Sequence, residues 1–232
     1  KYLKSKNINF LTNSDTEVVA NAYMYFGEKT FNYFDGMWAI AIYDSEKKEI
    51  LLSRDYVGQK PLFYTKNDNY YIFSSQLNGI ILDKKSSTKV SKESLKKYFT
   101  YSFFPAPHTL YEDIYQVEPG ENILINLQNL NINKKKYWDL KNGADYNTFF
   151  AKISENQFKQ QFEEIIKQHS IADKLPALSL SGGIDSYIVM NYFTKLQKNC
   201  SSFTLGFENK SFDESRYVKE IKNKLNKKIY YA

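Results

Sequence analysis

A glycine-rich loop is the strongest chemical signal in the sequence. Ser181-Gly182-Gly183-Ile184-Asp185-Ser186 lies between a short apolar run and a helical pattern. Adjacent glycines permit backbone conformations that other residues avoid, and they let a ligand approach the chain closely. The first N–H groups of a helix are unpaired, and the two serines add hydroxyl donors. The loop is therefore predicted to bind phosphate groups, with Asp185 as a helix cap or as a ligand of an accompanying Mg²⁺.

The spacing excludes two common nucleotide-binding loops. No Gly-Lys-Ser/Thr follows the glycines, so this is not a Walker loop, and the dinucleotide-binding glycine fingerprint is absent as well. The alternative interpretation is an ordinary strand-to-helix turn with a serine cap. The position after the apolar run Ala177–Leu180 favours phosphate binding, because parallel sheets bind ligands at the carboxyl ends of their strands.

The elements that would position this loop follow residue 153. Ser154 and Gln157 have the spacing of a capping box at the start of a helix, and His169 is interpreted as a packed or helix-end histidine. Strands and helices then alternate, which predicts a parallel sheet with helical crossovers. The expected elements are a strand at Ala177–Leu180, a helix at Asp185–Lys198, a strand at Ser202–Phe207, a helix at Phe212–Leu225 and a strand at Ile229–Tyr231.

The first two thirds of the chain predict antiparallel hairpins around one helix. Ser14–Phe26 should be that helix, begun by a Ser14/Glu17 capping box and stopped by Gly27. Polar turns between apolar arms indicate three strand pairs. Their arms are Met37–Tyr43 with Glu49–Ser53, Pro61–Thr65 with Tyr70–Ser74, and Gly120–Asn126 with Ile132–Trp138. Pro105 and Pro107 predict an irregular loop at Ser102–Thr109.

Composition excludes several classes of protein. Of the 232 residues, 42% are apolar and 25% charged, so a core can form, and no apolar run is long enough to span a membrane. The net charge of +6 comes from scattered lysines, which argues against nucleic-acid binding. One cysteine, Cys200, excludes an internal disulfide, and two histidines leave little for a histidine metal site. A cytoplasmic location fits best.

Several motifs carry a family resemblance. Ser181–Ser186 resembles the SGGxDS pyrophosphate loop of the ATP pyrophosphatase superfamily, whose members adenylate an acid or carbonyl. The other motifs resemble one branch, the glutamine-dependent asparagine synthetases, in family order from about residue 10 to residue 231. These are Thr12–Val18, Phe34–Asp44, Arg54-Asp55 with Gly58 and Pro61–Tyr64, Pro119-Gly120, Ser202–Phe207 and Phe212–Ser215.

The resemblance implies an α/β fold of two domains. Residues 1–140 would form a glutaminase domain of the Ntn-hydrolase αββα type, incomplete at its start. A linker would span residues 141–153. Residues 154–232 would begin a parallel α/β ATP-pyrophosphatase (PP-loop, adenine nucleotide alpha hydrolase-like) domain, incomplete at its end. The sequence is accordingly interpreted as a window of a longer protein.

The resemblance also implies roles for individual residues. Asp15 would bind the α-ammonium group of glutamine, and Leu180 and Leu205 would contact the nucleotide through their backbones. The residues expected to hold the pyrophosphate are Ser181, Gly182, Gly183, Asp185 and Ser186, with Asp185 also near the magnesium. Arg54 and Asp55 are interpreted as a structural charge pair.

The implied reaction converts aspartate, glutamine and ATP to asparagine, glutamate, AMP and pyrophosphate through a β-aspartyl adenylate. ATP and Mg²⁺ would be the cofactors, small molecules the partners, and a homodimer a possible assembly. The cysteine nucleophile that begins the family's mature chain is not at Lys1, and Cys200 is interpreted as an inert packed residue. No catalytic residue and no glutaminase activity are therefore expected of these 232 residues alone.

Three other interpretations remain open at this point. The acceptor could be another carboxylate, such as a sugar acid in surface-polysaccharide synthesis, or the enzyme could close a lactam ring. A tRNA-modifying relative would suit the basic charge, although its loop would be expected near the start of the chain. A family member without catalytic activity would retain the fold and lose the chemistry.

Overall fold

The computed structural model describes residues 2–140, 153–196, 200–211, 213–225 and 229–231, without the side chains of residues 221 and 223–225. The chain divides into two compact units, Lys1–Phe149 and Phe150–Ala232. The predicted linker at 141–153 lies outside the described residues except for Ile153.

Five short helical segments belong to the first unit. They are α1 (Tyr2–Ser5), α2 (Asp15–Phe26), a 3-10 helix (Gly27–Tyr33), α3 (Leu77–Ile81) and α4 (Lys92–Tyr101). α2 confirms the predicted helix, and Gly27 ends it with a φ of +60°. The predicted capping box is wrong. The Ser14 hydroxyl accepts from the Thr16 N–H at 3.2 Å, whereas the Glu17 carboxylate accepts from the Leu11 and Thr12 N–H groups, each at 2.7 Å.

The three predicted hairpins are confirmed. Their strands are β1 (Ala39–Asp44) with β2 (Glu49–Arg54), β3 (Phe63–Asn67) with β4 (Tyr70–Ser74), and β6 (Glu121–Asn126) with β7 (Ile132–Lys136). A short strand that the sequence did not predict, β5 (Ile114–Gln116), pairs with β3. Two antiparallel sheets result, in the orders β1-β2-β6-β7 and β4-β3-β5.

Strand β2 joins the layers of the first unit. Successive side chains of a strand point to opposite faces, so Leu51 and Leu52 enter different cores. Leu51 packs with Tyr23 of α2 and with Phe31 of the 3-10 helix. Leu52 packs with Tyr64 of β3 and with other buried residues of the two sheets. The four-stranded sheet is therefore covered by helices on one face and by the second sheet on the other.

The second unit has the predicted alternation of strand and helix. Its elements are α5 (Glu155–His169), β8 (Ala177–Ser179), α6 (Ile184–Leu196), β9 (Ser201–Thr204), α7 (Ser215–Leu225) and β10 (Ile229–Tyr231). The strands are parallel in the order β10-β9-β8. The Ser154/Gln157 capping box of α5 is confirmed. β9 ends three residues before the predicted Phe207, and α7 starts at Ser215, after the predicted Phe212.

Two apolar clusters hold this unit together. Leu180, Met190, Val218 and Ile229 form one of them, between the sheet and helices α6 and α7. Ile166 of α5 packs with Phe193 and Cys200 in the other. Cys200 is only 6% exposed, which agrees with its interpretation as a packed apolar residue. His169 lies at the end of α5 with Nδ1 2.9 Å from the Ile165 carbonyl oxygen, as expected of a helix-end histidine.

Candidate functional sites

The glycine-rich loop, residues 181–186, starts from a firmly anchored residue. Leu180 follows β8 and is 2% exposed, with its side chain between Met190 and Val218. Its backbone N–H donates to the carbonyl oxygen of Phe203 in the neighbouring strand β9 at 2.8 Å. The loop therefore leaves the carboxyl edge of the parallel sheet from a fixed position.

Hydrogen bonds within the loop bring its two serines together. The Ser181 hydroxyl accepts from the Gly183 N–H and lies 3.3 Å from the Ser186 hydroxyl. The Ser186 hydroxyl donates to the Gly183 carbonyl oxygen at 2.9 Å. That carbonyl also accepts from the Tyr187 N–H at 3.2 Å as the first turn of α6 begins. Both hydroxyls thus lie beside the N-terminus of a helix, which favours negative charge.

Gly182 has the tightest steric surroundings in the loop. Its φ is +80°, a conformation that other residues rarely adopt. A Cβ atom at this position would lie 3.1 Å from the Glu214 carbonyl oxygen and 3.2 Å from the Tyr217 Cβ. The loop is therefore pressed against the residues that begin α7, and the position accepts glycine alone without a shift of the neighbours.

Asp185 lies inside the first turn of α6. The helix starts at Ile184, so the interpretation of Asp185 as the N-cap is wrong. Its side chain is exposed, and none of the hydrogen bonds and ion pairs of the described residues involves it. The same residues contain no group of three His, Cys, Asp or Glu that could hold a metal ion by themselves. One free carboxylate suits a Mg²⁺ that is carried mainly by phosphate oxygens.

Leu205 reaches the same edge of the sheet. It follows the end of β9 and is 65% exposed. Continuing the register Ser179↔Phe203 by two residues places Leu205 opposite Ser181. The structure therefore brings together all seven residues that the sequence assigned to the nucleotide: Leu180, Ser181, Gly182, Gly183, Asp185, Ser186 and Leu205.

Asp213 supports the start of α7 beside this loop. Its carboxylate accepts from the Ser215 N–H at 3.0 Å and from the Ser215 hydroxyl at 2.9 Å. These hydrogen bonds hold the pKa of Asp213 below its usual value, because they stabilise the charged form. The first turn of α7, which contacts Gly182, is fixed in this way.

Asp15 lies in the first unit, apart from the residues of the loop. It is the first residue of α2 and is exposed. It lines an open cleft of about 720 Å³ whose wall is largely β1, and Lys60 and Pro61 line the same cleft. An exposed carboxylate in an open cleft can bind a ligand's ammonium group. Sequence reasoning missed Lys60, although its place beside Pro61 in the resemblance was a usable signal.

Arg54 and Asp55 fix the segment that carries Lys60. The Arg54 guanidinium donates to the carbonyl oxygens of Gly58, Lys60 and Val117 at 2.7–2.8 Å. The Asp55 carboxylate accepts from backbone N–H groups, including that of Lys60 at 3.0 Å. Burial lowers the pKa of Arg54, although the neighbouring Asp55 acts in the opposite direction.

The predicted charge pair between these two residues is wrong. The ion pairs of the described residues do not include Arg54 and Asp55. Each side chain is instead directed at backbone groups, because a tight turn leaves such groups without partners in a sheet. The structural role expected of both residues agrees with these contacts.

Comparison with protein families places the whole chain. A family model described as a glutamine amidotransferase domain matches residues 1–138, and one described as asparagine synthase matches residues 157–229. This chain belongs to the glutamine-dependent asparagine synthetase family. The two matches follow the order of the two units, and the fold is accordingly an Ntn-type glutamine amidotransferase unit followed by the start of a parallel α/β synthetase unit.

Curated relatives carry the same family name. A protein of Methanocaldococcus jannaschii named as a glutamine-hydrolyzing asparagine synthetase is 36% identical over 94% of this chain and 43% of its own length. Asparagine synthetase 1 of Bacillus subtilis is 28% identical over 94% of this chain and 34% of its own length. Amidase chry2 of Gibberella zeae is 27% identical over 82% of this chain and 27% of its own length. The chain spans less than half the length of these members of the asparagine synthetase family.

Solved structures show a weaker likeness. The glutamine phosphoribosylpyrophosphate amidotransferase of B. subtilis, complexed with ADP and GMP, matches with a TM-score of 0.39 and 15% identity, over 95% of this chain and 46% of that one. A structure described as the allosteric regulatory enzyme of purine biosynthesis matches with a TM-score of 0.40 and 13% identity, over 99% and 56%. Within the described ranges, no helix has the length and apolar character needed to cross a membrane.

Proposed function

We propose that this chain is part of an enzyme that forms asparagine from aspartate, with ATP as the energy source and glutamine as the source of ammonia. ATP would adenylate the β-carboxylate of aspartate and release pyrophosphate. Ammonia from glutamine would then displace AMP. In this proposal the first unit serves glutamine hydrolysis and the second serves ATP, and the partners are small molecules.

One observation carries this proposal. The loop 181–186 lies at the carboxyl edge of a parallel sheet and at the start of helix α6, in a chain whose first 138 residues match a glutamine amidotransferase domain. Helix N-termini and the carboxyl edges of parallel sheets are both favoured positions for anionic ligands. A nucleotide site and a glutamine-dependent unit in one chain are the requirements of ATP-dependent amide formation.

The residues of the loop would act by electrostatic stabilisation. Donors fixed before the reaction stabilise charge that develops on a leaving group. Ser181, Gly183 and Ser186 would supply hydroxyl and backbone donors to the pyrophosphate, and Gly182 would allow its close approach. The backbones of Leu180 and Leu205 would contact the rest of the nucleotide. No side chain of this unit needs to act as a nucleophile.

Two carboxylates complete the proposed assignments. Asp185 would share a Mg²⁺ with the phosphate oxygens of ATP, and the ion would offset their charge. Asp15 would pair with the α-ammonium of glutamine in the cleft along β1. These assignments, the cytoplasmic location and the homodimer remain predictions.

The test is formation of AMP and pyrophosphate by a protein of the relatives' length that carries this chain. We expect both products with ATP, Mg²⁺ and aspartate, and neither without aspartate. Asp185→Asn should lower the rate at least tenfold, since it removes the proposed metal ligand. Glu163→Gln on the exposed face of α5 is the matched control and should leave the rate unchanged. Absence of AMP with every acid would contradict the proposal.

A second candidate is amide formation on another carboxylate. The similarity to amidase chry2 supports it, because the 27% identity nearly equals that to the B. subtilis asparagine synthetase. The same assay with a panel of sugar acids and amino acids separates the candidates. AMP formation with another acid, and none with aspartate, would replace the first candidate by the second.

A further inference from the structure

The glycine-rich loop has an excess of negative charge for a site that holds phosphates. Its charged residue is Asp185, and Asp213 and Glu214 lie just before the helix that touches it. A Walker loop carries a lysine for the phosphates, but residues 181–186 contain no lysine or arginine. Among the residues that begin α7, Arg216 supplies a positive charge.

The start of α7 lies directly against the loop. Its residue Tyr217 has its Cβ 3.2 Å from the position that a Cβ would take on Gly182. Both crossovers of the parallel sheet run in the same direction along the order β10-β9-β8, so right-handed connections put α6 and α7 on the same face. The N-termini of both helices therefore lie side by side at the carboxyl edge of the sheet.

Tyr217 holds the Arg216 side chain. The guanidinium Nη2 donates to the Tyr217 hydroxyl at 2.8 Å, and its central carbon lies 4.6 Å from the centre of the Tyr217 ring. Arg216 is exposed, and it takes part in none of the ion pairs found among the described residues. Its charge is thus oriented by an aromatic ring and is not neutralised by a carboxylate.

We propose that Arg216 is a phosphate-binding residue of the ATP site, which contacts the β- and γ-phosphates while Tyr217 orients its guanidinium. This inference rests on the proposed function of the loop. Arginine suits the role because its planar fork can bind two phosphate oxygens at once. Arg216 would offset charge on the pyrophosphate, where the loop itself supplies only neutral donors and the Asp185 carboxylate.

The experiment measures the binding of ATP, AMP and inorganic pyrophosphate to the full chain by isothermal titration calorimetry with Mg²⁺. Arg216→Gln should weaken ATP and pyrophosphate about tenfold, the usual scale of one charge-assisted hydrogen bond. AMP lacks the β- and γ-phosphates, so its affinity should change less than about twofold. Arg216→Lys should recover part of the loss, since it keeps the charge and loses the fork.

Lys222→Gln is the matched control. Lys222 lies on the same helix and also faces a tyrosine ring, with its Nζ 5.9 Å from the centre of Tyr231. It is six residues farther from the loop, or about 9 Å along the helix. This variant should bind all three ligands as the wild type does, and both variants should keep the wild-type unfolding midpoint.

The outcomes separate the two proposals. If the wild type binds ATP and Arg216→Gln binds it equally well, or weakens AMP to the same extent, the inference is wrong and the proposed function stands. If the wild type binds neither ATP nor pyrophosphate, the nucleotide site in this chain fails, and the inference is overturned with it. Selective loss of ATP and pyrophosphate in Arg216→Gln supports the inference.

Discussion

Gly182 has the strictest steric requirement of the residues in the loop 181–186. Its φ of +80° and its contact with the Glu214 carbonyl leave no room for a side chain. Gly182→Ala should lower the free energy of unfolding by about 1–2 kcal/mol, because alanine is strained in this conformation and must displace a neighbour. ATP affinity should fall as well. Urea unfolding and calorimetry measure the two effects.

The neighbouring glycine provides the control for this prediction. A Cβ on Gly183 would meet only the Ser181 hydroxyl, at 3.3 Å, and Gly183 is not among the glycines with positive φ. Gly183→Ala should therefore be less destabilising than Gly182→Ala. Equal stability of the two variants would contradict the steric argument.

The sequence was informative about residues whose role follows from local chemistry. The loop was recognisable because adjacent glycines, two serines and an aspartate are rarely combined without a ligand. The roles of Glu17 and Asp185 could not be predicted, since a cap depends on where the first helical turn begins. A difference of one residue moved Asp185 from the cap into the first turn of α6.

At the scale of elements, Arg54 links three segments of the first unit. It donates to carbonyl oxygens of the turn after β2 and of the chain after β5. Arg54→Met would leave three carbonyl groups with poor partners and should cost about 3 kcal/mol of unfolding free energy. Arg54→Lys should recover little, because one ammonium group cannot reach all three in the same geometry.

The exposed Lys92 on α4 supplies a comparison of a similar kind. Lys92→Met removes a long cation without removing such contacts, so it should change the unfolding free energy by less than about 0.5 kcal/mol. Urea denaturation of the three variants gives the comparison. A loss below 1 kcal/mol for Arg54→Met would show that water replaces the guanidinium at this position.

The predicted and missed elements differ in how local their signal is. The three hairpins were predictable because each is formed by neighbouring segments with a polar turn between them. β5 has three residues, and its strand character comes from pairing with β3 far away in the sequence. α4 was missed because its aromatic residues are largely exposed, with Phe99 82% accessible, so the chain shows no clear buried stripe.

At the scale of the whole molecule, the single cysteine determines what the chain can do alone. Cys200 is buried beside Ile166 and Phe193 in the second unit, whereas Asp15 belongs to the first. A thiol packed among apolar side chains is a poor nucleophile. The 232 residues should therefore release no glutamate from glutamine, as measured by amino-acid analysis after long incubation.

A full-length B. subtilis asparagine synthetase can serve as the positive control for that assay. Glutamate release by the isolated chain would contradict the prediction. Loss of such release in Cys200→Ser would identify the buried thiol as its source, and its persistence would direct attention to another group.

The pairing of β2 with β6 has a consequence for how the first unit forms. The registered partners Glu49 and Asn126 are separated by roughly 75 residues, which take about 4–15 s to translate at typical ribosomal speeds. During that interval the β1–β2 hairpin lacks its sheet neighbour, and Leu51 and Leu52 face water unless a chaperone covers them. The parallel sheet involves much shorter waits, since β8 and β9 are joined by a single helix. Nascent chains of this protein are therefore most prone to aggregate before residue 126 leaves the ribosome.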